Sequence, residues 1–311
     1  MKRFKVYMGE EIHPAAAEKL RNFAEVVDTL EPIEELDAIF SRATKLNRDQ
    51  ISRAKKCKCI ARHGVGMDIL DVQACKEYGI PILYTPYANS NSVAEFVLAM
   101  AMCMARNVYQ TEYIMKTEGF HVIGPAWLRG CELRGKTVGI VGVGRIGSIV
   151  ARLFKTAFDC RVVAYDPYLS ADELAVRHCE KVDALEQLVS SSDIVSINCP
   201  LNDETKHMFN KELFSNFKPD AFLINTARGQ IVDEDAAYEA LTTGKLKMMG
   251  TDVYVDELNP FDCPLTHLDN FIGFPHVAAN THEAMYNMAM TAVDGIIDML
   301  EGRTPKYIFQ G

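Results

Sequence analysis

The chain has no apolar run long enough to span a bilayer. Its first residues, MKRFKVYMGE, lack the apolar stretch of a secretory leader. No membrane contact is expected, and a cytoplasmic setting is. Positive charge is also short: 33 Lys and Arg stand against 42 Asp and Glu, a net charge of −9. A broad nucleic-acid-binding face needs a basic excess and is not expected, although a few arginines could still form a local anion pocket. Nor is there a disulfide or metal framework. The nine cysteines are odd in number, and the Cys57/Cys59 pair has no second pair near it. Reduced, mostly buried thiols and no bound metal are expected. Internal repeats and low-complexity segments are absent.

What is present is enough chain for two domains, 311 residues, and enough apolar character, 48%, to give each a core. Short β-branched runs alternate with helical patterns. Residues 5–8, 38–40, 59–61 and 82–84 read as strands, with helices near 15–23, 48–54 and 72–77. A second series of strands occupies 137–141, 162–165, 194–197, 221–224, 248–251 and 271–273. Such alternation predicts βαβ units around parallel sheets, one in each half of an α/β protein. A helical pattern over 92–116, carrying Met100, Met102 and Met104, reads as one buried helix packing both domains rather than a ligand surface. The last helical pattern, 281–300, is expected to return the chain to the first domain.

The sharpest local signal is Gly142-Val143-Gly144-Arg145-Ile146-Gly147, directly after the β-branched strand 137–141 and opening a helical pattern. In that context G-x-G-x-x-G predicts a dinucleotide site. Gly142 permits a tight turn, Gly144 lets backbone approach a diphosphate, and Gly147 lets the helix pack on the strand. The helix start, with Arg145 and Ile146, presents N–H groups to the phosphates. Asp166 ends the next strand, about twenty residues on, where an acid accepts the ribose hydroxyls and repels the 2′-phosphate of NADP. NAD is the expected cofactor.

Three more strand ends carry Asn225-Thr226-Ala227-Arg228-Gly229, Asp252 with Glu257, and Pro275-His276. Ligands bind at the carboxyl ends of strands in open parallel sheets. Hydride transfer to a 2-oxo acid leaves a developing alkoxide, which needs a proton donor and a positive charge. His276 can exchange that proton near neutral pH. Glu257 would orient its ring and favour the protonated form, and Arg228 would bind the substrate carboxylate and polarise the carbonyl.

These segments, with Ser41-Arg42-Ala43-Thr44, Arg62-His63-Gly64-Val65-Gly66, the run from Asn89 to Glu95, and Leu133 to Gly139, appear in the order found in one family. The sequence resembles the D-isomer-specific 2-hydroxyacid dehydrogenases, most of all the phosphoglycerate dehydrogenase and hydroxypyruvate reductase branch, up to about Glu283. The resemblance implies two Rossmann-like parallel-sheet domains with a cleft between them. Residues 1–95 and 285–311 would form a flavodoxin-like substrate domain, and 96–284 the NAD-binding domain. It implies Arg228, Glu257 and His276 as catalytic residues, and the backbone of Gly64, Val65 and Gly66 as cradle for the substrate carboxylate. Asp252 and the Ala227 backbone would meet the nicotinamide carboxamide. A homodimer through the nucleotide domain is implied, with the segment around Trp127 in its interface.

The substrate is less determined. Arg42 and Arg62 fall where phosphoglycerate dehydrogenases hold a phosphate, so a phosphorylated or dicarboxylic substrate is one expectation. Reduction of hydroxypyruvate, glyoxylate or another 2-oxo acid is the alternative. His63 stands where a small residue is common, and Val65 where many phosphoglycerate dehydrogenases carry a hydroxyl. Glu257, in place of the glutamine of formate dehydrogenases, argues against that activity. No stretch after the last helix is expected to form a regulatory domain. A reading from another class is an NAD(H)-sensing corepressor-like binding protein, which would bind NADH yet turn over no 2-oxo acid.

Overall fold

A computed structural model describes residues 4–119, 123–257, 259 and 262–310. The chain folds as two compact units, Met1–Ser90 with Ala279–Gly311, and Asn91–Ala278.

The first unit holds a five-stranded sheet of β1 (Lys5–Tyr7), β2 (Glu25–Val27), β3 (Ala38–Ser41), β4 (Ile60–Arg62) and β5 (Ile82–Leu83). All neighbours pair in parallel, in the order β2-β1-β3-β4-β5. That is the flavodoxin-like order. Strands covered on both faces should be apolar throughout, and β3, Ala38-Ile39-Phe40-Ser41, is buried at every position. One face packs on helix Pro14–Phe23 and helix His282–Leu300, through Leu20, Phe40, Ala289, Val293 and Ile296. Thr281 caps the latter helix by accepting the Ala284 N–H. The opposite face is filled by Ile33, Ile39, Ile51, Ile60 and Ile82.

The second unit holds seven parallel strands: β6 (Thr137–Val141), β7 (Arg161–Tyr165), β8 (Glu180–Lys181), β9 (Ile194–Ile197), β10 (Phe222–Asn225), β11 (Met248–Thr251) and β12 (Phe271–Gly273). The order is β12-β11-β10-β9-β6-β7-β8. The chain winds outward from β6 to β8, then returns to place β9 on the other flank of β6. Strand order therefore reverses between β6 and β9, the switch point at which doubly wound sheets bind ligands. Met100 and Met104 lie in this unit's core against β11, where a Cβ on Gly250 would come within 3.1 Å of both sulfurs.

Two features depart from the sequence-based expectation. The expected single helix over 92–116 is two, Ser90–Ala105 and Val108–Thr117, broken at Asn107. Asn107 takes a left-handed conformation (φ +50°) and donates its side-chain amide to the Leu128 carbonyl. Asparagine enters that region at small cost. In addition, β2 and β8 have no counterpart among the expected strands; both lie at sheet edges and carry charged residues. Among the described residues, no helix is long and apolar enough to cross a membrane, and no group of three His, Cys, Asp or Glu side chains could hold a metal ion.

Candidate functional site

In the second unit the glycine motif turns from β6 into helix Arg145–Phe158. Gly142 has φ +84°, and a Cβ there would lie 2.8 Å from the Cys199 backbone. A Cβ on Gly147 would lie 2.2 Å from the Gly142 carbonyl oxygen. These two glycines are required by the protein's own packing. Gly144 is not: a Cβ there meets no atom within 4 Å. It is the N-cap of a helix start that no side chain caps. An open approach to exposed first-turn N–H groups is what a diphosphate would use.

Asp166, just past β7, is held by two backbone donors. Its Oδ2 accepts the Val143 N–H at 2.9 Å and its Oδ1 the Tyr168 N–H at 3.0 Å. The carboxylate is thus tied to the glycine turn it would serve. At the end of β9, Asn198 donates its amide to the Ser196 carbonyl (3.1 Å) and hydroxyl (3.0 Å). That fixes the orientation of the amide and leaves its Oδ1 buried without a partner. An orphaned acceptor beside the switch point suits a donor-bearing ligand. The open Gly144 turn, the anchored Asp166 and this acceptor together fit NAD. Cys199, beneath Gly142, has its thiol pushed up to about 12 by burial, which disfavours the thiolate.

The catalytic candidates sit at three neighbouring strand ends. After β10, Asn225 builds the turn that carries Arg228: its Oδ1 accepts the Ala227 N–H and its Nδ2 donates to the Arg228 carbonyl. Arg228 itself donates Nη1 to the Ala227 carbonyl at 2.6 Å. Gly229 follows because nothing larger fits, since a Cβ would lie 2.1 Å from the Tyr254 carbonyl carbon.

After β11, the buried Asp252 accepts the Val277 N–H on Oδ1 and the Ala278 N–H on Oδ2, both at 2.8 Å. Its own carbonyl accepts the His276 N–H. This carboxylate thereby fastens the segment bearing the histidine. Burial raises its pKa, while the two amide bonds and His276 work against the rise.

After β12, His276 adopts φ +54°, an uncommon conformation for a residue with a side chain. Its Nδ1 lies 3.0 Å from each oxygen of Glu257. That bond fixes the Nδ1–H tautomer of the neutral ring and leaves Nε2 for chemistry. The Glu257 hydrogen bond raises the His276 pKa; burial and the Arg228 charge oppose the rise, and the charges of Glu257 and Asp252 add to it.

The remaining candidates belong to the first unit. Gly64 (φ +138°) has its carbonyl fixed by the Thr85 N–H (3.0 Å) and hydroxyl (3.2 Å). Arg62 donates Nε to the Gly66 carbonyl at 2.8 Å and Nη1 to the carbonyls of Ser41, Arg42 and His63. It ties the turn after β3 to the turn after β4. Arg42 donates to the Glu11 carbonyl at 2.9 Å. His63 is buried, and burial together with Arg42 and Arg62 lowers its pKa to about 4. Val65 is exposed.

The structure thus joins Arg228, Asp252, Glu257 and His276 in one cluster, and Arg42, Arg62 and residues 64–66 in another. It adds Asn225, whose Asn-x-x-Arg spacing is a turn signal that could have been read. It also adds Asn198, which no sequence signal marks.

A profile for the family described as D-isomer specific 2-hydroxyacid dehydrogenase, NAD binding domain, matches residues 98–278. The D-3-phosphoglycerate dehydrogenase of Methanocaldococcus jannaschii is 36% identical over 307 residues, covering 96% of this chain. This chain spans only 58% of the length of that relative. The hydroxypyruvate reductase of Thermotoga maritima is 34% identical over 315 residues, which cover 96% of this chain and 99% of the relative. Among solved structures, a D-lactate dehydrogenase from Aquifex aeolicus complexed with NAD and lactic acid gives a TM-score of 0.88 at 28% identity, with 99% of each chain covered.

Proposed function

The chain belongs to the D-isomer specific 2-hydroxyacid dehydrogenase family, and from that premise we propose that it interconverts a small D-2-hydroxy acid and its 2-oxo acid using NAD. The observation that carries this reading is the His276–Glu257 pair, 3.0 Å apart at the strand ends that also mount Arg228. When bound, NAD supplies the hydride acceptor for oxidation and, in its reduced form, the donor for reduction.

The protein's own residues handle the proton and the charge. In reduction, His276 gives a proton from Nε2 to the oxygen that becomes the hydroxyl; in oxidation it takes that proton back. Glu257 holds the ring and stabilises the imidazolium. Arg228 pairs with the substrate carboxylate and polarises the carbonyl beside it. Asp252 keeps the histidine segment in place, and its remaining lone pairs, with the Ala227 backbone, would receive the nicotinamide carboxamide. The N–H groups around Gly144, Arg145 and Ile146 would hold the diphosphate, and Asp166 the adenosine ribose, disfavouring NADP. In the unit formed by 1–90 and 279–311, the turn at Gly64, Val65 and Gly66 would cradle the substrate carboxylate with backbone N–H groups. That unit is the substrate-binding domain in this reading.

A cytoplasmic setting is supported by nine cysteines that are all free thiols. A homodimer through the nucleotide-binding unit is supported by its exposed Tyr113, Ile123 and Trp127.

The reading is tested by following NADH oxidation with glyoxylate, hydroxypyruvate, pyruvate, oxaloacetate, 2-oxoisocaproate and 3-phosphohydroxypyruvate. Turnover of at least one acid, with the D-hydroxy acid as product, is expected. Tight NADH binding with no turnover of any of them would replace the enzyme by a nucleotide-sensing protein.

A further inference from the structure

Asn225 closes β10, and its side chain and backbone hold different things. The residue is buried, and both polar atoms of its amide serve one turn. Oδ1 accepts the Ala227 N–H at 3.0 Å, and Nδ2 donates to the Arg228 carbonyl at 2.9 Å. A short amide presents an acceptor and a donor on two adjacent atoms. A carboxylate has only acceptors, and a hydroxyl has one atom for both roles. The other donor to the Arg228 carbonyl, the Ile231 N–H at 3.3 Å, comes from the same turn. It is the asparagine that ties Ala227 and Arg228 to the end of β10.

The backbone of the same residue joins the neighbouring strand. The Asn225 carbonyl accepts the Asp252 N–H at 2.9 Å and the Thr251 hydroxyl at 3.2 Å. Asp252 in turn accepts the Val277 and Ala278 N–H groups on its carboxylate, and the His276 N–H on its carbonyl at 2.9 Å. Asn225 is therefore bonded directly to the turn carrying Arg228 and, through one intermediate residue, to the segment carrying His276. The two ties differ in kind. The one to Arg228 depends on the asparagine side chain, and the one toward His276 does not.

We propose that Asn225 is a positioning residue: its amide sets the Arg228 turn in register with the His276 segment, so that carboxylate binding and proton transfer meet on one substrate. This deepens the dehydrogenase reading and rests on it. The charges acting on His276 are Glu257 and Asp252, which favour the imidazolium, and Arg228, which opposes it. Removing the Asn225 amide loosens Arg228 while the Asp252 tie to His276 and the His276–Glu257 bond remain. The resulting defect is one-sided. Substrate capture weakens, and the histidine is relieved of the opposing charge.

The experiment compares the wild type, Asn225→Ala and Asn225→Ser by three readouts. These are NADH affinity by fluorescence titration, steady-state reduction of the best acid of the panel, and the titration of His276 followed by NMR. The His276 signal is identified as the one lost in His276→Ala. In Asn225→Ala, NADH affinity should stay within about twofold, since the glycine turn and Asp166 keep their own bonds. KM for the acid should rise about tenfold, the scale of two lost hydrogen bonds, with kcat falling less. The His276 pKa should rise, carrying the alkaline limb of reduction to higher pH, the opposite of what loss of the Glu257 charge does. The serine hydroxyl can accept the Ala227 N–H more weakly. Asn225→Ser should therefore recover part of the affinity for the acid, and it decides the matter if the alanine variant does not fold. A merely structural Asn225 would lower kcat and NADH affinity together. That result, or an unmoved KM with an unmoved His276 titration in a folded variant, overturns the proposal. Lack of turnover with every acid in the wild type overturns the dehydrogenase reading itself, an outcome that the His276 titration keeps apart from failure of the tie.

Discussion

Two histidines stand just beyond the ends of parallel strands, His63 after β4 and His276 after β12, and their surroundings drive them in opposite directions. His63 is 5% exposed, and burial first, then the charges of Arg42 and Arg62, push its pKa down to about 4. Its Nε2 is buried without a partner. The His276 side chain is 47% exposed and bonded to Glu257, and its pKa rises. Burial disfavours the charged ring in both cases. What differs is the neighbour: two cations beside one ring and a carboxylate in contact with the other. A strand-end position therefore does not make a histidine an acid–base group; its nearest charge does. His63 stays neutral across the physiological range, whereas His276 is pushed toward holding its proton.

Substituting the ring to which the proposed function gives the proton should have the largest effect. His276→Ala is expected to lower kcat by about 10²- to 10⁴-fold while NADH still binds, as read by fluorescence titration. Retained turnover would erase the distinction between the two rings. Next comes acid stability. The unfolded chain protonates His63 near the ordinary histidine value of 6.5, whereas the folded chain refuses the proton until about pH 4. Its contribution is therefore complete above pH 6.5 and is lost as pH falls from 6.5 toward 4, by about 3 kcal/mol at the limit. Urea unfolding of the wild type and His63→Gln across that window should show the loss in the wild type alone; parallel curves would mean that His63 is not held neutral. The smallest effect belongs to Glu257→Gln. Without the carboxylate the His276 pKa falls, so the alkaline limb of the reduction pH profile should move to lower pH, with kcat down about tenfold. A limb that stays in place would assign the rise to something other than Glu257.

The same role of surroundings decides what could be read in advance. The core strands were legible because residues covered on both faces are apolar and β-branched, as in Thr137–Val141 and Ile194–Ile197. β2 and β8 were not. Each is an edge strand, paired on one side only, and Glu25, Glu180 and Lys181 give it no apolar run. The break at Asn107 was hidden because asparagine fits a helix and a left-handed turn alike. At the site, the glycine spacing and the Arg, Glu and His at strand ends were visible, since backbone approach and proton transfer demand those residue types. The partners of Arg62 were invisible. They depend on which carbonyls two separate turns bring together, and no local pattern encodes that.

The bare backbone at Gly229 has a consequence for how such a molecule can change over time. With 2.1 Å between a notional Cβ and the Tyr254 carbonyl carbon, the turn bearing Arg228 and the segment leading to Glu257 are seated on each other and cannot be shimmed apart. Asp252 then clamps the His276 segment to the same seat. The segments bearing Arg228, Glu257 and His276 form a chassis on which single substitutions have little room to adjust anything. Change has more room where a side chain stands in the open, as at the exposed Val65. A lineage could thus vary such a position many times over while the three seated segments stay as they are.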